Sequence, residues 1–295
     1  MEKRAKPELQ AAGGPLISRS ACRGKPSLKK KRSGEGRLPP MPFPDVDAEK
    51  EMQRLLDSGG RPPRDADPFT FGDTRLAPSR VVELLRPHMR ERRLERIQEA
   101  VGERTRSVVP VVEGLVNTGN VSAVMRSAEA LGYQDFHVVK GDNERFKHSG
   151  RTSGGAENWL DLWYWEGPSA CADHLHDAGY RLVAMHLHAD TVPIREIDFT
   201  KPTALVFGNE EAGVSDAMME EVDAACVVPL PGFTESFNVS VAAAVALYHA
   251  QQDRLNRQGH HADLSDEGQV RLTARFCLRS VQHADKIIQR KLDEV

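Results

Sequence analysis

The chain has few cysteines, and no two of them lie close together in the sequence. The four cysteines form no CxxC motif: they are Cys22, Cys171, Cys226 and Cys277. Four scattered cysteines without such a motif argue against a zinc module or a disulfide framework. Two His-x-His pairs, beginning at His174 and His186, have no third ligand at a usual spacing. We therefore expect no metal site and no disulfides, and reduced thiols in an intracellular protein.

Long apolar runs and an excess of positive charge are also missing. No run of 18 apolar residues occurs, and no segment has the apolar centre of a signal peptide, so we expect neither a membrane span nor secretion. With 40 Lys and Arg against 43 Asp and Glu, the net charge is −3. This balance excludes a uniformly basic nucleic-acid binder, so any affinity for nucleic acid must come from locally clustered charge.

Neither glycine-rich nucleotide-binding motif, GxGxxG or GxxxxGK[ST], is present, which disfavours a conventional Rossmann methyltransferase or dehydrogenase. What is present over residues 107–258 is an alternation of short apolar runs with helical patterns. The alternation predicts an α/β fold, a parallel sheet flanked by helices, with ligands beyond the carboxyl ends of the strands. The predicted strands are Ser107–Glu113, Phe136–Val139, Leu162–Tyr164, Arg181–His186, Ala204–Phe207 and Cys226–Val228.

The stretch from Cys226 to Ala250 changes character twice. A short apolar run ends at Pro229, because proline cannot donate a ladder hydrogen bond. A loop rich in hydroxyl, amide and carboxylate groups follows, and then an Ala-rich helix for which Ser236 or Asn238 is the candidate N-cap. A strand, a polar loop and a helix of small residues together indicate a ligand site.

The flanking segments are more polar. Residues 1–45 hold eleven Lys or Arg against three Glu and are predicted to be a disordered basic tail. This tail is a solvated extension, a transit peptide for a plastid or mitochondrion, or a nuclear or RNA-binding tag. Residues 46–78 are predicted to be a linker with a short helix, 79–106 an arginine-rich helical extension, and 259–295 a basic C-terminal helical segment that packs on the domain or grips RNA.

Three sequence blocks resemble the SpoU branch of the SPOUT RNA methyltransferases. They are residues 117–126 (NTGNVSAVMR), 205–214 (LVFGNEEAGV) and 226–250. The resemblance covers about residues 92–254 and is strongest to the TrmH-like enzymes, which methylate a ribose 2′-hydroxyl of a tRNA D-loop guanosine. It implies a deep C-terminal trefoil knot, S-adenosylmethionine as cofactor, tRNA as substrate, and a homodimer.

The resemblance also implies the site residues. The catalytic set would be Asn120, Arg126, Glu210, Ser236 and Asn238, and the cofactor pocket would contain Met185, Gly208, Val228, Leu230, Phe237 and Asn238. In this family Arg126 is the residue that accepts or steers the hydroxyl proton. Because arginine is a poor base, a phosphate clamp is an equally good interpretation of Arg126. Asn120 would orient Arg126 or the substrate, and Glu210 would hold Asn120, Arg126 or a loop of the dimer partner.

Five arginines are predicted to contact RNA: Arg92, Arg93, Arg96, Arg104 and Arg254. The alternative for the first of these is a solvated helix, since glutamates are interleaved with the arginines. Asn117-Thr118-Gly119 and Gln252 depart from the TrmH-like pattern, which bears on the choice of RNA. The alternatives to a tRNA methyltransferase are therefore methylation of ribosomal RNA and RNA binding without turnover.

Overall fold

A computed structural model of the protein describes residues 69–115, 117–140, 153–187 and 191–294. The predicted tail over residues 1–45 lies outside these described residues, as does the linker up to residue 68 with its short helix. Within the described part of the chain, no helix has both the length and the apolar character needed to cross a bilayer.

Seven strands form one sheet in which every neighbouring pair is parallel. Their bounds are β3 Val108–Glu113, β4 Asp135–Val139, β5 Asp161–Trp165, β6 Arg181–Met185, β7 Val192–Pro193, β8 Thr203–Phe207 and β9 Ala224–Val227. In space the order is β5-β4-β3-β8-β6-β9-β7. The prediction of a parallel sheet flanked by helices is confirmed. The sequence pattern does not predict β7, because two residues are too few to show a period.

The remaining elements are helices and one small hairpin. The helices are α1 Pro78–Leu85, α2 Glu91–Gly102, α3 Thr118–Ala130, α4 Pro168–Asp177, α5 Asp216–Met219, α6 Val239–Gln258, α7 Asp266–Ser280 and α8 Ala284–Asp293. Single 3-10 turns occur at Arg86–His88, Ala156–Asn158 and Ile194–Glu196, and the antiparallel hairpin is β1 Thr70–Phe71 with β2 Thr74–Arg75. Pro87 lies in the turn that separates α1 from α2, as proline in a helical pattern predicts.

Both faces of the large sheet are buried. Along β3, Val108 and Val112 pack into the core shared with α3 and α6, whereas Val109 and Val111 pack into the core shared with α4 and α5. Side chains alternate between the faces of a strand, so a strand covered on both sides has an uninterrupted apolar sequence. This explains the four valines of β3.

A second core joins segments from the two ends of the described chain. Helices α1 and α2 pack against α7 and α8, with Leu85, Ile97, Phe276 and Ile288 among the buried side chains. We call these four helices, with the β1–β2 hairpin, the helical module. The predicted C-terminal segment 259–295 thus packs on the predicted extension 79–106, and each provides the apolar face that the other needs.

A buried carboxylate ties the helical module to the sheet. Asp161, at the start of β5, has no exposed surface and accepts hydrogen bonds from Arg106 at 2.7 Å and Arg275 of α7 at 3.0 Å. Arg279 lies 3.6 Å from its second oxygen. Burial alone would raise the pKa of Asp161, but the charges of Arg275, Arg106 and Arg279 outweigh burial and hold this pKa well below its usual range.

Replacing Asp161→Asn should destabilise the protein by roughly 3 kcal/mol at pH 7, because Arg275 is left buried without its counter-charge. Urea unfolding measures this loss. Since the pKa is lower in the folded state, the stabilisation is complete above the unfolded value and declines as the pH falls below about 5. The difference between wild type and variant should therefore shrink in acid.

The matched control is Glu99→Gln, which removes a carboxylate from an exposed pair with Arg96 and should cost less than about 1 kcal/mol. Equal losses for the two variants would contradict the structural role given to Asp161.

Candidate active site

Four neighbouring strands end at the same height, and this sets where the site lies. One row across the sheet joins Val112 of β3, Phe207 of β8, Met185 of β6 and Cys226 of β9. The loops that follow these strands therefore begin side by side at the carboxyl edge, where parallel sheets bind ligands. Each of the three sequence blocks includes residues of one of these loops.

The loop after β3 carries the first block. Asn117 caps α3, because its side chain accepts a hydrogen bond from the Gly119 N–H at 2.8 Å. This cap starts the helix just before Asn120, which lies in the first turn. Arg126 follows further along the same helix.

The loop after β8 carries the second block and is unusually tight. Gly208 is buried, and a Cβ added there would overlap the backbone of Gly213 and Val214. Asn209 and Gly213 exchange two backbone hydrogen bonds of 2.8 and 2.9 Å, and Gly213 has the positive φ of +74° that favours glycine. Glu210 is consequently held at the tip of a closed turn.

The loop after β9 carries the third block. Residues 231–238 are exposed, and Asn238 caps α6 by accepting hydrogen bonds from the backbone N–H of Ser240 at 3.0 Å and from its hydroxyl at 2.6 Å. Asn238 is thus the N-cap of the Ala-rich helix. Ser236 is exposed in the loop and does not cap the helix.

Asn120 connects the three loops. Its side-chain N–H donates to the Glu210 carboxylate, and its carbonyl oxygen accepts from the Asn238 amide at 3.3 Å. Of the alternatives for Glu210, the structure shows the contact with Asn120. Three of the five predicted catalytic residues are therefore in one hydrogen-bonded chain.

Arg126 stands apart from that chain. It is exposed and has no hydrogen bond or ion pair to any described residue. The backbone of Gly154 passes close by, since a Cβ added to that glycine would lie 3.9 Å from Arg126 Cζ. Asn120 does not orient Arg126 in this structure, and none of the donors of the planar guanidinium is bonded to a described residue.

The predicted cofactor residues surround the same edge. Met185, Gly208 and Val228 follow or end three adjacent strands, with Gly208 buried and the other two half-buried. Leu230 is half-buried, while Phe237 is 41% exposed. Across residues 230–237 the backbone forms no hydrogen bond with the described residues. Apolar side chains beside unpaired backbone donors and acceptors fit a ligand with an apolar body and polar edges.

The sequence analysis does not identify two side chains, those of Asn209 and Glu113, that fix the loops by hydrogen bonds. The Asn209 side chain donates to the Gly114 carbonyl at 2.8 Å and accepts from the Glu211 and Ala212 N–H groups. Glu113, which is 5% exposed, accepts from the backbone N–H of Ser215 at 3.0 Å and from its hydroxyl at 2.5 Å. The available signal was a carboxylate at the end of an otherwise apolar strand, because a buried charge needs a partner.

Two predicted RNA contacts are wrong. Arg104 is 2% exposed and binds Glu129 at 2.6 Å, and Arg254 is 1% exposed and binds Asp263 at 2.9 Å. Arg254 also donates to the carbonyls of Phe199 and His261. Neither guanidinium can reach a phosphate, because each is enclosed and paired within the fold.

The other three predicted arginines lie on α2 in different surroundings. Arg92 is exposed with no ion pair to a described residue, and Arg96 is exposed but paired with Glu99 at 3.1 Å. Arg93 is half-buried with its guanidinium 5.2 Å from the centroid of the Trp159 ring, and burial lowers its pKa. The interleaved glutamates neutralise part of this helix, as the alternative interpretation expects.

Comparison with known proteins gives three consistent matches and a weaker one. The model of the SpoU rRNA Methylase family matches residues 107–248. A tRNA (guanosine(18)-2′-O)-methyltransferase of Thermus thermophilus is 37% identical over 172 residues, 57% of this chain and 87% of that protein. The crystal structure of the Aquifex aeolicus TrmH/SpoU tRNA modifying enzyme has a TM-score of 0.60 and 29% identity, covering 65% of this chain and 98% of that one.

The weaker match is to a ribosomal RNA methyltransferase. The 23S rRNA (guanosine(2553)-2′-O)-methyltransferase RlmP of Bacillus subtilis is 33% identical over 144 residues, which cover 48% of this chain and 56% of that protein. The resemblance read from the three sequence blocks is confirmed by the family match and by the Thermus relative. The chain belongs to the SpoU methylase family.

Proposed function

We propose that the protein transfers a methyl group from S-adenosylmethionine to the 2′-hydroxyl of a tRNA ribose, that of guanosine 18 in the D-loop. The observation that carries the proposal is the hydrogen-bonded chain Glu210–Asn120–Asn238, which brings all three blocks of a SpoU domain together. The tRNA substrate is supported by relatives named for that reaction, which this chain covers over most of their length.

The cofactor would lie against the loops after β6, β8 and β9. Met185, Val228, Leu230 and Phe237 would provide apolar contacts. The backbone groups of residues 230–237, which no described residue pairs, would provide hydrogen bonds. When bound, S-adenosylmethionine supplies an electrophilic methyl group on a positively charged sulfur. Gly208 permits the tight loop after β8, because any side chain at that position would overlap the backbone of Gly213 and Val214.

Arg126 would hold the phosphate beside the target ribose. Its exposed guanidinium has no partner among the described residues, and its planar fork suits bidentate binding of a phosphate. Asn120 and Asn238 would orient the hydroxyl next to the methyl donor, and Glu210 fixes the rotamer of Asn120. A ribose hydroxyl is a weak nucleophile, so positioning supplies much of the rate. Ser236, exposed in the same loop, is proposed to contact substrate.

We also propose that the chain forms the deep C-terminal trefoil knot that the family resemblance implies. β9 lies between β6 and β7, which are consecutive in the chain. This strand order supports the proposed knot, in which the chain leaving β9 would pass through the connection from β6 to β7.

Arg126→Ala should lower kcat by at least about 10²-fold, because the phosphate next to the reacting ribose is no longer fixed. Arg126→Lys should recover only a small part, since an ammonium group cannot make a bidentate contact. The measurement is transfer of labelled methyl from S-adenosylmethionine to a tRNA transcript and to ribosomal RNA, with mapping of the modified nucleotide.

Label on guanosine 18 of tRNA that disappears in Arg126→Ala supports both the reaction and the residue. Label confined to ribosomal RNA would overturn the substrate, and no label in either RNA would favour an inert RNA-binding protein. A transcript with guanosine 18 replaced by adenosine is the matched substrate control.

Arg92→Ala should weaken tRNA binding and reduce the dependence of affinity on salt, because one phosphate contact is lost. Filter binding at several salt concentrations gives both quantities. Arg80→Ala is the control, since Arg80 is an exposed arginine of the same module already paired with Glu83 at 2.6 Å. Arg104→Ala should lower thermal stability instead, because its guanidinium is buried against Glu129. An unchanged salt slope for Arg92→Ala would refute the contact.

We propose a homodimer formed through α6. Val241, Val245 and Tyr248 are 46, 38 and 55% exposed, and their spacing places them on one face of the helix. Phe237, in the loop just before α6, extends this apolar surface. A second copy of the chain would cover it, and the loop carrying Ser236 and Asn238 would then lie beside the interface.

Tyr248→Asp should convert the dimer to a monomer, because a charge would be buried in the apolar interface. Light scattering after size-exclusion chromatography measures the mass. Gln282→Glu adds the same charge at an exposed position outside α6 and should leave the dimer intact. A wild-type monomer, or a dimer that survives Tyr248→Asp, would contradict the proposed interface.

A further inference from the structure

We propose that Asn209 is a positioning residue for the proposed methyl transfer, acting through Glu210. The inference rests on the proposed function and adds a residue with no assigned role. Asn209 lies directly before Glu210 in the loop after β8, and its side chain contacts the loop that carries Asn120.

The Asn209 amide bonds to two segments of chain at once. Its Nδ2 donates to the carbonyl oxygen of Gly114 at 2.8 Å. Its Oδ1 accepts from the N–H groups of Glu211 at 2.8 Å and Ala212 at 3.1 Å. Both lone pairs of the amide oxygen and one of its two N–H donors are therefore in use.

Gly114 is itself a fixed point of the sheet edge. Its N–H donates to the carbonyl of Val139 at the end of β4, at 3.1 Å. It has a positive φ of +59°, so the chain turns there away from β3 towards Asn117. Asn209 therefore fastens the Glu210 turn to the residue at which the Asn120 loop begins.

The far end of the Glu210 loop is fastened separately. Glu113, immediately before Gly114, holds Ser215 by two hydrogen bonds. The eight residues from Gly208 to Ser215 are thus tied to the end of β3 at two places. Between these ties the exposed Glu210 side chain meets Asn120, so the spacing of the two loops determines that contact.

An amide is needed at position 209 because the group must donate and accept simultaneously. In Asn209→Asp the bonds from Glu211 and Ala212 remain available, but a carboxylate oxygen would face the Gly114 carbonyl oxygen. Like partial charges at hydrogen-bond distance repel, so the Glu210 turn should move away from Gly114 while its own closure persists. The aspartate variant therefore separates the connection between loops from the integrity of the turn.

The test combines kinetics with structure. Asn209→Asp should reduce kcat by ~10²-fold, because Asn120 is displaced by a fraction of an ångström to one ångström. The KM values for cofactor and tRNA should change much less. Asn209→Ala combined with Glu210→Ala should be no slower than Glu210→Ala alone, since a residue that acts only through Glu210 has no further effect once Glu210 is removed.

The control is Gln258→Ala, which also removes a side-chain amide bound to a backbone carbonyl, that of His260 at 2.9 Å, but at the far end of α6. It should retain wild-type kcat. An unchanged kcat in Asn209→Asp, or losses that add in the double variant, would overturn the proposal.

A crystal structure of Asn209→Asp provides a readout independent of activity. The contact between Asn120 and Glu210 should be broken while the fold and the backbone pairing of residues 209 and 213 persist. If the wild type methylates no RNA, the proposed function fails, and this structure still decides the positioning role. Retention of the contact in the variant would refute that role.

Discussion

The side-chain amide of Asn120 is the interaction on which the candidate site depends. It donates to Glu210 and accepts from Asn238, and an amide can do both with one planar group. The two bonds join loops that are distant in the sequence. They are satisfied together only because β3, β8, β6 and β9 end in one row of the ladder. A shift of register by one residue would turn these loop ends to opposite faces.

Much of the architecture could be predicted because it follows from local patterns. The apolar run within Val108–Glu113 is typical of a central parallel strand, and Asn238 is a candidate N-cap of the Ala-rich helix. The meeting of Asn120 with Glu210 could be inferred only from a family resemblance, because no periodicity specifies which loops are neighbours. The order of the strands, with β9 between β6 and β7, is likewise a property of the whole chain.

The errors concern arginines and have a common physical cause. The arginine-rich helical extension predicts an RNA contact for Arg104, and the resemblance to TrmH-like enzymes predicts one for Arg254, but both side chains are buried. Their carboxylate partners are Glu129 and Asp263, and Tyr133 and Phe199 add carbonyl acceptors. Burial of a guanidinium is tolerated when its donors are satisfied, and the distant acceptors that satisfy it cannot be identified from the residues beside it.

The pairing of arginines with carboxylates also bears on how a chain of net charge −3 recognises RNA. Asp161, which joins the helical module to the sheet, pairs with Arg106, Arg275 and Arg279. The positive charges of these arginines are therefore balanced within the protein. Exposed arginines of the module such as Arg80, Arg86 and Arg96 are paired with neighbouring glutamates. Arg126 and Arg92 are left without such partners among the described residues. Many arginines of the described residues are therefore neutralised within the protein, whereas Arg126 is exposed at the sheet edge on the helix that also carries Asn120.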